Sequence, residues 1–422
     1  MNLLDRITTV LPRGTAFVGA GTAVLGVASY VHLAAAGHSL AVGDMASFSV
    51  LWTVVFSIGL GLFFPVEQEV TRLVAGRVVR GEGVLPVLRR GAVLSLGLLA
   101  LVLVPLALFA RRLADVFFHG DTGLVLALGG AFAALAVAYV TRGVLAGLGC
   151  FRAYGTQLGL DGALRIVLSG ALAVAGVRSA AAFAAVLTVA PLLAVLATLG
   201  PVLRGARPGP QAEWRDLINH LGMLVGSTLL AQLLVNIAVI STKLIATDDD
   251  ALVAALLSAL VLARVPLFVF GAFQVSLLAG LSSAAAEGDT PGYRRLLLRA
   301  LSVTAGLGVA GGIGAVALGP ALLPTVFGAP DVLGAGDFAW LSLGTVLYML
   351  AMVLGQALLT SGGARGQLTA WIVGTAVLVA VTLGPLQLRT RVELAYAAGS
   401  FAVATCMSLV LRARVSYRPV CS

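Results

Sequence analysis

Apolar residues run through this chain in long blocks rather than in stripes. Uncharged runs of about twenty positions, closed by charged residues or Gly/Pro clusters, follow one another from end to end. A helix rises about 1.5 Å per residue, so about twenty residues cross roughly 30 Å of hydrocarbon. The pattern predicts about twelve spans, near 14–36, 45–66, 91–110, 122–148, 155–177, 180–203, 220–244, 251–283, 299–319, 336–360, 367–387 and 393–411. The eighth run exceeds one crossing, and its end is expected to project into the cytoplasm. A membrane barrel would instead show alternation over about ten residues. The expected fold class is therefore an all-α integral membrane protein.

The blocks echo each other. Gln68 and Arg89 are 21 residues apart after the second span, as are Gln274 and Arg295 after the eighth. Val116-Phe117-Phe118-His119-Gly120 parallels Val326-Phe327-Gly328, and Gly147-Leu148-Gly149-Cys150-Phe151-Arg152 parallels Gly362-Gly363-Ala364-Arg365. Two six-helix lobes are expected, 1–203 and 219–422, joined by a polar cytoplasmic linker at 204–218 and related by a pseudo-two-fold along the membrane normal. Repeats of this kind place a substrate site at their interface and permit rocking between two openings.

Composition sharpens this picture. Of 422 residues, 59% are apolar and 11% charged, against about a quarter charged in soluble domains. The net charge of +9 does not point to nucleic acid, because the basic residues are scattered over loops. With both termini in the cytoplasm, 18 of the 27 basic residues fall inside, six outside, and Arg142, Arg165 and Arg264 within spans. That is a positive-inside bias, and it predicts a multi-pass protein of the inner (cytoplasmic) membrane. The apolar run after Arg13 is read as an uncleaved first helix, since eleven more follow. Cys150, Cys406 and Cys421 avoid the expected outer loops, so no disulfide framework is expected.

Arg264 is the sharpest chemical signal. It lies 14 residues beyond Asp250, about 21 Å along a helix, where a lipid-facing arginine costs at least about 2.5–3.5 kcal/mol. It is expected to face a cavity or a partner, with Pro266 kinking the helix beside it. Asp161 and Arg165, four apart, pair on one helical face or serve a cavity. Gln232, Asn236 and Lys243 share a stripe on span seven, as Ser49, Thr53 and Ser57 do on span two. Hydrated paths and helix–helix hydrogen bonds are both open for these stripes. Glu67, Glu69 and Arg72 mark the inner end of span two, and Glu67 and Arg72 are candidates for gating. Arg142 is expected to snorkel to the interface, and His32 to be interfacial. Thr15, Gly19, Thr22, Gly26 and Ser29 form a small-residue packing face on span one. Metal-ligand spacing, nucleophile elbows and phosphate-cradling loops are not found, so neither enzyme nor metal chemistry is expected.

The stretch Leu262-Ala263-Arg264-Val265-Pro266-Leu267-Phe268, with Gln274-Val275-Ser276-Leu277-Leu278 and Leu281-Ser282, resembles span eight of Wzx-type polysaccharide flippases of the multidrug/oligosaccharidyl-lipid/polysaccharide exporter superfamily. Arg142-Gly143-Val144-Leu145-Ala146-Gly147-Leu148-Gly149, followed by Phe151-Arg152 and Tyr154-Gly155, is also similar to that family. Where the family has proline after the paired leucines of span eight, this chain has Ala279. The resemblance implies alternating-access transfer of a polyprenyl-pyrophosphate-linked oligosaccharide to the outer leaflet for surface polysaccharide synthesis. It implies Arg264 on the pyrophosphate, Arg165 and Lys243 as further cations, and Gln232 and Asn236 on sugar hydroxyls. Ion-gradient coupling (H+ or Na+), no cofactor, membrane lipids around the chain, and a polysaccharide polymerase and glycosyltransferases as partners go with that reading. A drug exporter of the same superfamily is the alternative, and it is expected to carry an acidic cavity. From another class, a membrane glycosyltransferase or polymerase is suggested only by Asp248-Asp249-Asp250.

Overall fold

The computed structural model describes residues 15–211, 214–245, 250–263, 265–267, 270, 281, 290–361 and 363–416. They form helices α1 (Thr15–Ser39), α2 (Val42–Val54), α3 (Leu60–Val79), α4 (Leu85–Leu108), α5 (Ala110–Phe117), α6 (Thr122–Gly147), α7 (Phe151–Val174) and α8 (Ala180–Gly205). These are followed by α9 (Trp214–Ile245), α10 (Asp250–Ala263), α11 (Thr290–Phe327), α12 (Ala335–Thr360), α13 (Ala364–Thr382) and α14 (Leu388–Ser416). No strand occurs among the described residues. Eleven helical stretches among them are long and apolar enough to cross a bilayer, and Leu221–Asn236 in α9 is a shorter apolar one. The chain is a multi-pass membrane protein.

Only helices keep every backbone polar group satisfied within such a segment, and the ends are closed locally. Asp121 accepts from Gly123 N at 2.7 Å to cap α6, and Ser179 accepts from Ala182 N at 3.3 Å to cap α8. The two repeat motifs end alike. After α5, Gly120 takes φ +83° and its N–H reaches back to Ala114 O. After α11, Gly328 takes φ +58° and the Ala329 N–H reaches back to Leu323 O. Both are left-handed helix closures spanning six residues.

Two features differ from the run-by-run reading. The amphipathic helix α5 was not anticipated, being eight residues long and opened by Arg111 and Arg112. Helix α11 is 38 residues long, about 57 Å, because it starts at Thr290, takes in Arg294 and Arg295, and continues past Pro320 and Pro324 to Phe327. Most of the end of the long eighth run, 271–280 and 282–283, lies outside the described residues.

Contacts group the chain into two compact units. The first holds the chain up to Leu40 and Leu62–Val225; the second holds Ala41–Gly61 and the chain from Gly226. The continuous helix Val42–Val78 therefore changes unit at Gly61. A π turn at Val55–Gly59 joins α2 to α3, and Pro65 has no N–H to offer the Gly61 carbonyl. The regular ladder is thus weakened over the stretch where the helix passes from one unit to the other.

In the first unit α1 packs along α7 and α6 along α8. The α1–α7 approach is set by glycines on both helices. A Cβ on Gly155 would strike the Phe17 carbonyl, one on Gly21 would strike the Gly155 carbonyl, and one on Gly162 would sit 2.8 Å from Leu25 Cα. The packing face expected on span one is met in part: Gly26 is buried, whereas Gly19 and Thr22 are exposed. Closest approach requires small residues on both partners, which a stripe on one helix does not reveal. In the second unit α12 is flanked by α11 and α14, α14 packs on α13, and α2 lies against α10.

Candidate functional site

The first unit carries a buried polar seam. Along α7, Tyr154, Gln157, Asp161, Arg165 and Ser169 fall on one face, at i, i+3, i+7, i+11 and i+15. Asp161 is its centre and is 1% exposed. Arg165, one turn on, donates Nε–H to Asp161 Oδ1 at 2.8 Å and Nη2–H to Oδ2 at 3.2 Å. From α6, Arg142 donates Nη2–H to the same Oδ2 at 2.9 Å, and its guanidinium lies 5.4 Å from the Tyr139 ring centroid. Both arginine side chains are 5% exposed.

The seam extends toward α3. Gln157 Nε2 donates to Thr141 Oγ1 at 3.0 Å, and Tyr154 donates its hydroxyl to Glu67 Oε1 at 2.7 Å. Glu67 is buried and lies within the electrostatic reach of Arg142. Arg142 Nε and Gln157 Oε1 are buried without a hydrogen-bond partner. One is a donor and the other an acceptor, so the seam retains unused capacity of both kinds. Two guanidiniums on one carboxylate leave this trio one positive charge in excess. Such burial is costly unless further charge or hydrogen bonds complete it.

The residues singled out from the sequence are placed as follows. Arg165 is in the seam, paired with Asp161 as the four-residue spacing suggested. Arg142 does not snorkel; it is buried on Asp161, because the turn at Gly149 (φ +70°) folds α7 back beside α6. Glu67 and Arg72 are not brought together. Glu67 meets Tyr154, whereas Arg72, its side chain 54% exposed, bonds Glu69 at 3.0 Å. His32 is fully buried rather than interfacial, with Nε2 3.1 Å from Phe183 O. In the second unit, Asn236 donates to the Gln232 backbone carbonyl at 2.9 Å and to Gln232 Oε1 at 3.3 Å. The Lys243 side chain and all of Arg264 lie outside the described residues. On span two, Ser49 donates to Met45 O at 2.7 Å, while Thr53 Oγ1 and Ser57 Oγ are buried without partners.

Sequence reading missed a second charged group. Arg389 at the start of α14 binds Asp337 at the start of α12, and Glu393 lies 3.9 Å from Arg389 Nε. The i, i+4 spacing of Arg389 and Glu393 was the available signal. No cluster of three or more metal-ligating side chains occurs among the described residues.

Against known proteins, the architecture is decisive. An inward-facing multidrug resistance MATE family transporter of the MOP superfamily matches with a TM-score of 0.71 and 17% identity, over 93% of this chain and 94% of that one. The fold is that of the MATE transporters. An outward-facing transporter of that family matches at 0.68 and 16% identity, over 96% of this chain and 95% of the other. A MOP superfamily transporter from Pyrococcus furiosus Vc1 (DSM3638), described by a reverse polarity of its binding pocket that suggests a different function, matches at 0.71 and 17% identity over 96% and 95%. In sequence, the chain is 27% identical over 400 residues to the uncharacterized protein Rv1510 of Mycobacterium tuberculosis (92% of this chain, 89% of the relative). It is 26% identical over 396 residues to Rv3630 of the same organism (90% and 88%). No protein-family model matches.

Proposed function

We propose that this MATE-fold protein moves a polyprenyl-pyrophosphate-linked oligosaccharide from the inner to the outer leaflet by alternating access, for surface polysaccharide synthesis. The observation that carries the reading is a pair of buried guanidiniums: Arg142 and Arg165 share Asp161 in the interior of the first unit. A pyrophosphate needs forked cationic donors, and a lipid tail can stay in the bilayer while the head crosses. Arg264 and Lys243 add further cations to the anionic path, and Gln232 and Asn236 meet sugar hydroxyls. In this reading residues 1–203 and 219–422 act as the two rocking repeats, joined by 204–218. The protein sits in the inner membrane with both termini cytoplasmic, and glycosyltransferases and a polymerase work on either side of it.

The cycle is coupled to a proton or sodium gradient, and Glu67 is the carboxylate for it. Asp161 is already committed to two guanidiniums, whereas Glu67 accepts its hydrogen bond from a neutral phenol, Tyr154. Arg72, exposed beside it on α3, gates the same end.

The test is transfer of a fluorescent polyprenyl-pyrophosphate oligosaccharide across proteoliposomes. The native chain is expected to transfer it, and Arg264→Ala and Arg165→Gln to lose transfer while the protein still inserts. Undiminished transfer by both variants would remove the arginines from the mechanism. Export of a cationic drug is the second reading, favoured by the multidrug resistance transporters that share the fold. Gradient-driven efflux of a cationic dye, with no transfer of the lipid-linked sugar, would establish it instead.

A further inference from the structure

The second unit carries a lateral groove of about 570 Å³ over α12, walled by α11 and α14. Its lining is apolar, including Leu301, Leu350, Leu354, Phe401 and Leu409, until it reaches Arg412. On α14 the lining runs from Phe401 to Arg412, eleven residues or about 16 Å of helix. Phe401 and Leu409 are each 60% exposed, so the groove opens to the side of the unit. No salt bridge among the described residues engages Arg412.

Arg412 stands at one end of the helices. Tyr293 near the start of α11 donates to Ala357 O near the end of α12 at 2.9 Å, and Gly366 at the start of α13 lies against Val410. The exposed side chains Arg294, Arg295, Arg299 and Arg365 therefore gather at the end where Arg412 closes the groove. A second groove, of about 430 Å³ between α11 and α12, has no charged residue in its lining. The comparison separates the two: both suit hydrocarbon, and one also presents a cation where a headgroup belongs.

We propose that the α11–α12–α14 groove is a binding site for an anionic membrane phospholipid, with one acyl chain along α12 and the phosphate on Arg412. Basic residues at the helix ends of a membrane protein recognise anionic headgroups in this way, and the basic collar supplies the longer-range attraction. The site holds whatever the transported substrate is, because it lies on the flank of the second unit and uses none of the seam residues.

The experiment is native mass spectrometry of the full chain in detergent, titrated with phosphatidylglycerol or with phosphatidylcholine of the same acyl chains. Phosphatidylglycerol is expected to bind more tightly. Arg412→Gln should weaken it about fivefold, the loss of one interfacial cation, and leave phosphatidylcholine unchanged. Thr405→Trp, which fills the groove from an exposed position, should weaken both lipids. Arg111→Gln, which removes an arginine from α5, should weaken neither. Equal binding of the two lipids by the native chain, or unchanged phosphatidylglycerol binding in both Arg412→Gln and Thr405→Trp, would overturn the site. Displacement of phosphatidylglycerol by a lower concentration of polyprenyl phosphate, lost in Thr405→Trp, would reassign the groove to the prenyl lipid.

Discussion

The two units both join arginines to carboxylates, but with opposite stoichiometry and in opposite surroundings. In the first unit one carboxylate, Asp161, serves two guanidiniums, and none of the three side chains exceeds 5% exposure. In the second, one guanidinium, Arg389, faces two carboxylates, Asp337 and Glu393, and its side chain is 42% exposed. Water at Arg389 screens the pair and solvates what is left over. The seam has no such relief, so its hydrogen bonds must hold the charges in place. The same residue types thus brace helix ends in one unit and bury two guanidiniums on a single aspartate in the other.

The largest effect is expected where the buried guanidiniums lose their counter-charge. Asp161→Asn leaves two guanidiniums buried without a carboxylate and should cost about 3–5 kcal/mol. Thermal unfolding of the detergent-solubilised protein, read as monodisperse fraction against temperature, would measure it. Arg165→Gln leaves a one-to-one pair and should cost less than Asp161→Asn. The reverse order would mean that the excess charge is not a burden on the fold.

Next comes the packing that encloses the seam. Gly155→Val puts a branched side chain against the backbone of α1 at Phe17 and Val18, an overpacking cost of at least about 1–3 kcal/mol. Gly19→Ala, with nothing within 4 Å of the added Cβ, should change stability by less than about 0.5 kcal/mol. A glycine scan of α1 by the same unfolding assay separates the observed contact face from the one expected on sequence.

Much of this was legible beforehand, and what was not has a common physical cause. Spans follow from composition and length, so α1, α4, α6, α7, α8 and α12 fall close to their predicted places. Asp161 with Arg165 was readable because helical geometry alone brings i and i+4 together. Arg142 with Asp161, Tyr154 with Glu67, and Arg389 with Asp337 each join two helices. In a soluble helix an apolar stripe marks the inward face; in a membrane helix lipid and core are both apolar, and periodicity no longer says which way a residue points. Arg142 was therefore assigned to the interface when its true neighbour lay on the next helix. The glycine contacts of α1 were placed only in part for the same reason.

A smaller effect isolates the extension of the seam. Tyr154→Phe removes only the hydroxyl that donates to Glu67 at 2.7 Å and leaves that buried carboxylate one donor short. A loss of about 1–3 kcal/mol is expected, with the Arg142–Asp161–Arg165 contacts intact. If Glu67 carries the coupling ion, Tyr154→Phe should also shift the pH dependence of transfer, whereas Gly155→Val should lower its amplitude without moving it. An unshifted profile in Tyr154→Phe would detach Glu67 from coupling.

The smallest effect should come from the second unit, and it tests whether exposure is what separates the two charge groups. Asp337 has two tasks: it binds Arg389 and accepts the Gly334 N–H at the start of α12. Asn keeps the capping oxygen and removes the charge, so Asp337→Asn reads the ion pair alone and should cost below about 1 kcal/mol. Asp337→Ala removes the cap as well and should add about 1 kcal/mol. Raising the salt concentration should shrink the Asp337→Asn difference, because the Arg389 side chain of the pair is 42% exposed and screened, and leave the Asp161→Asn difference nearly unchanged. Were Asp337→Asn as damaging as Asp161→Asn, and as indifferent to salt, burial of the arginines would not be the variable that distinguishes the two groups.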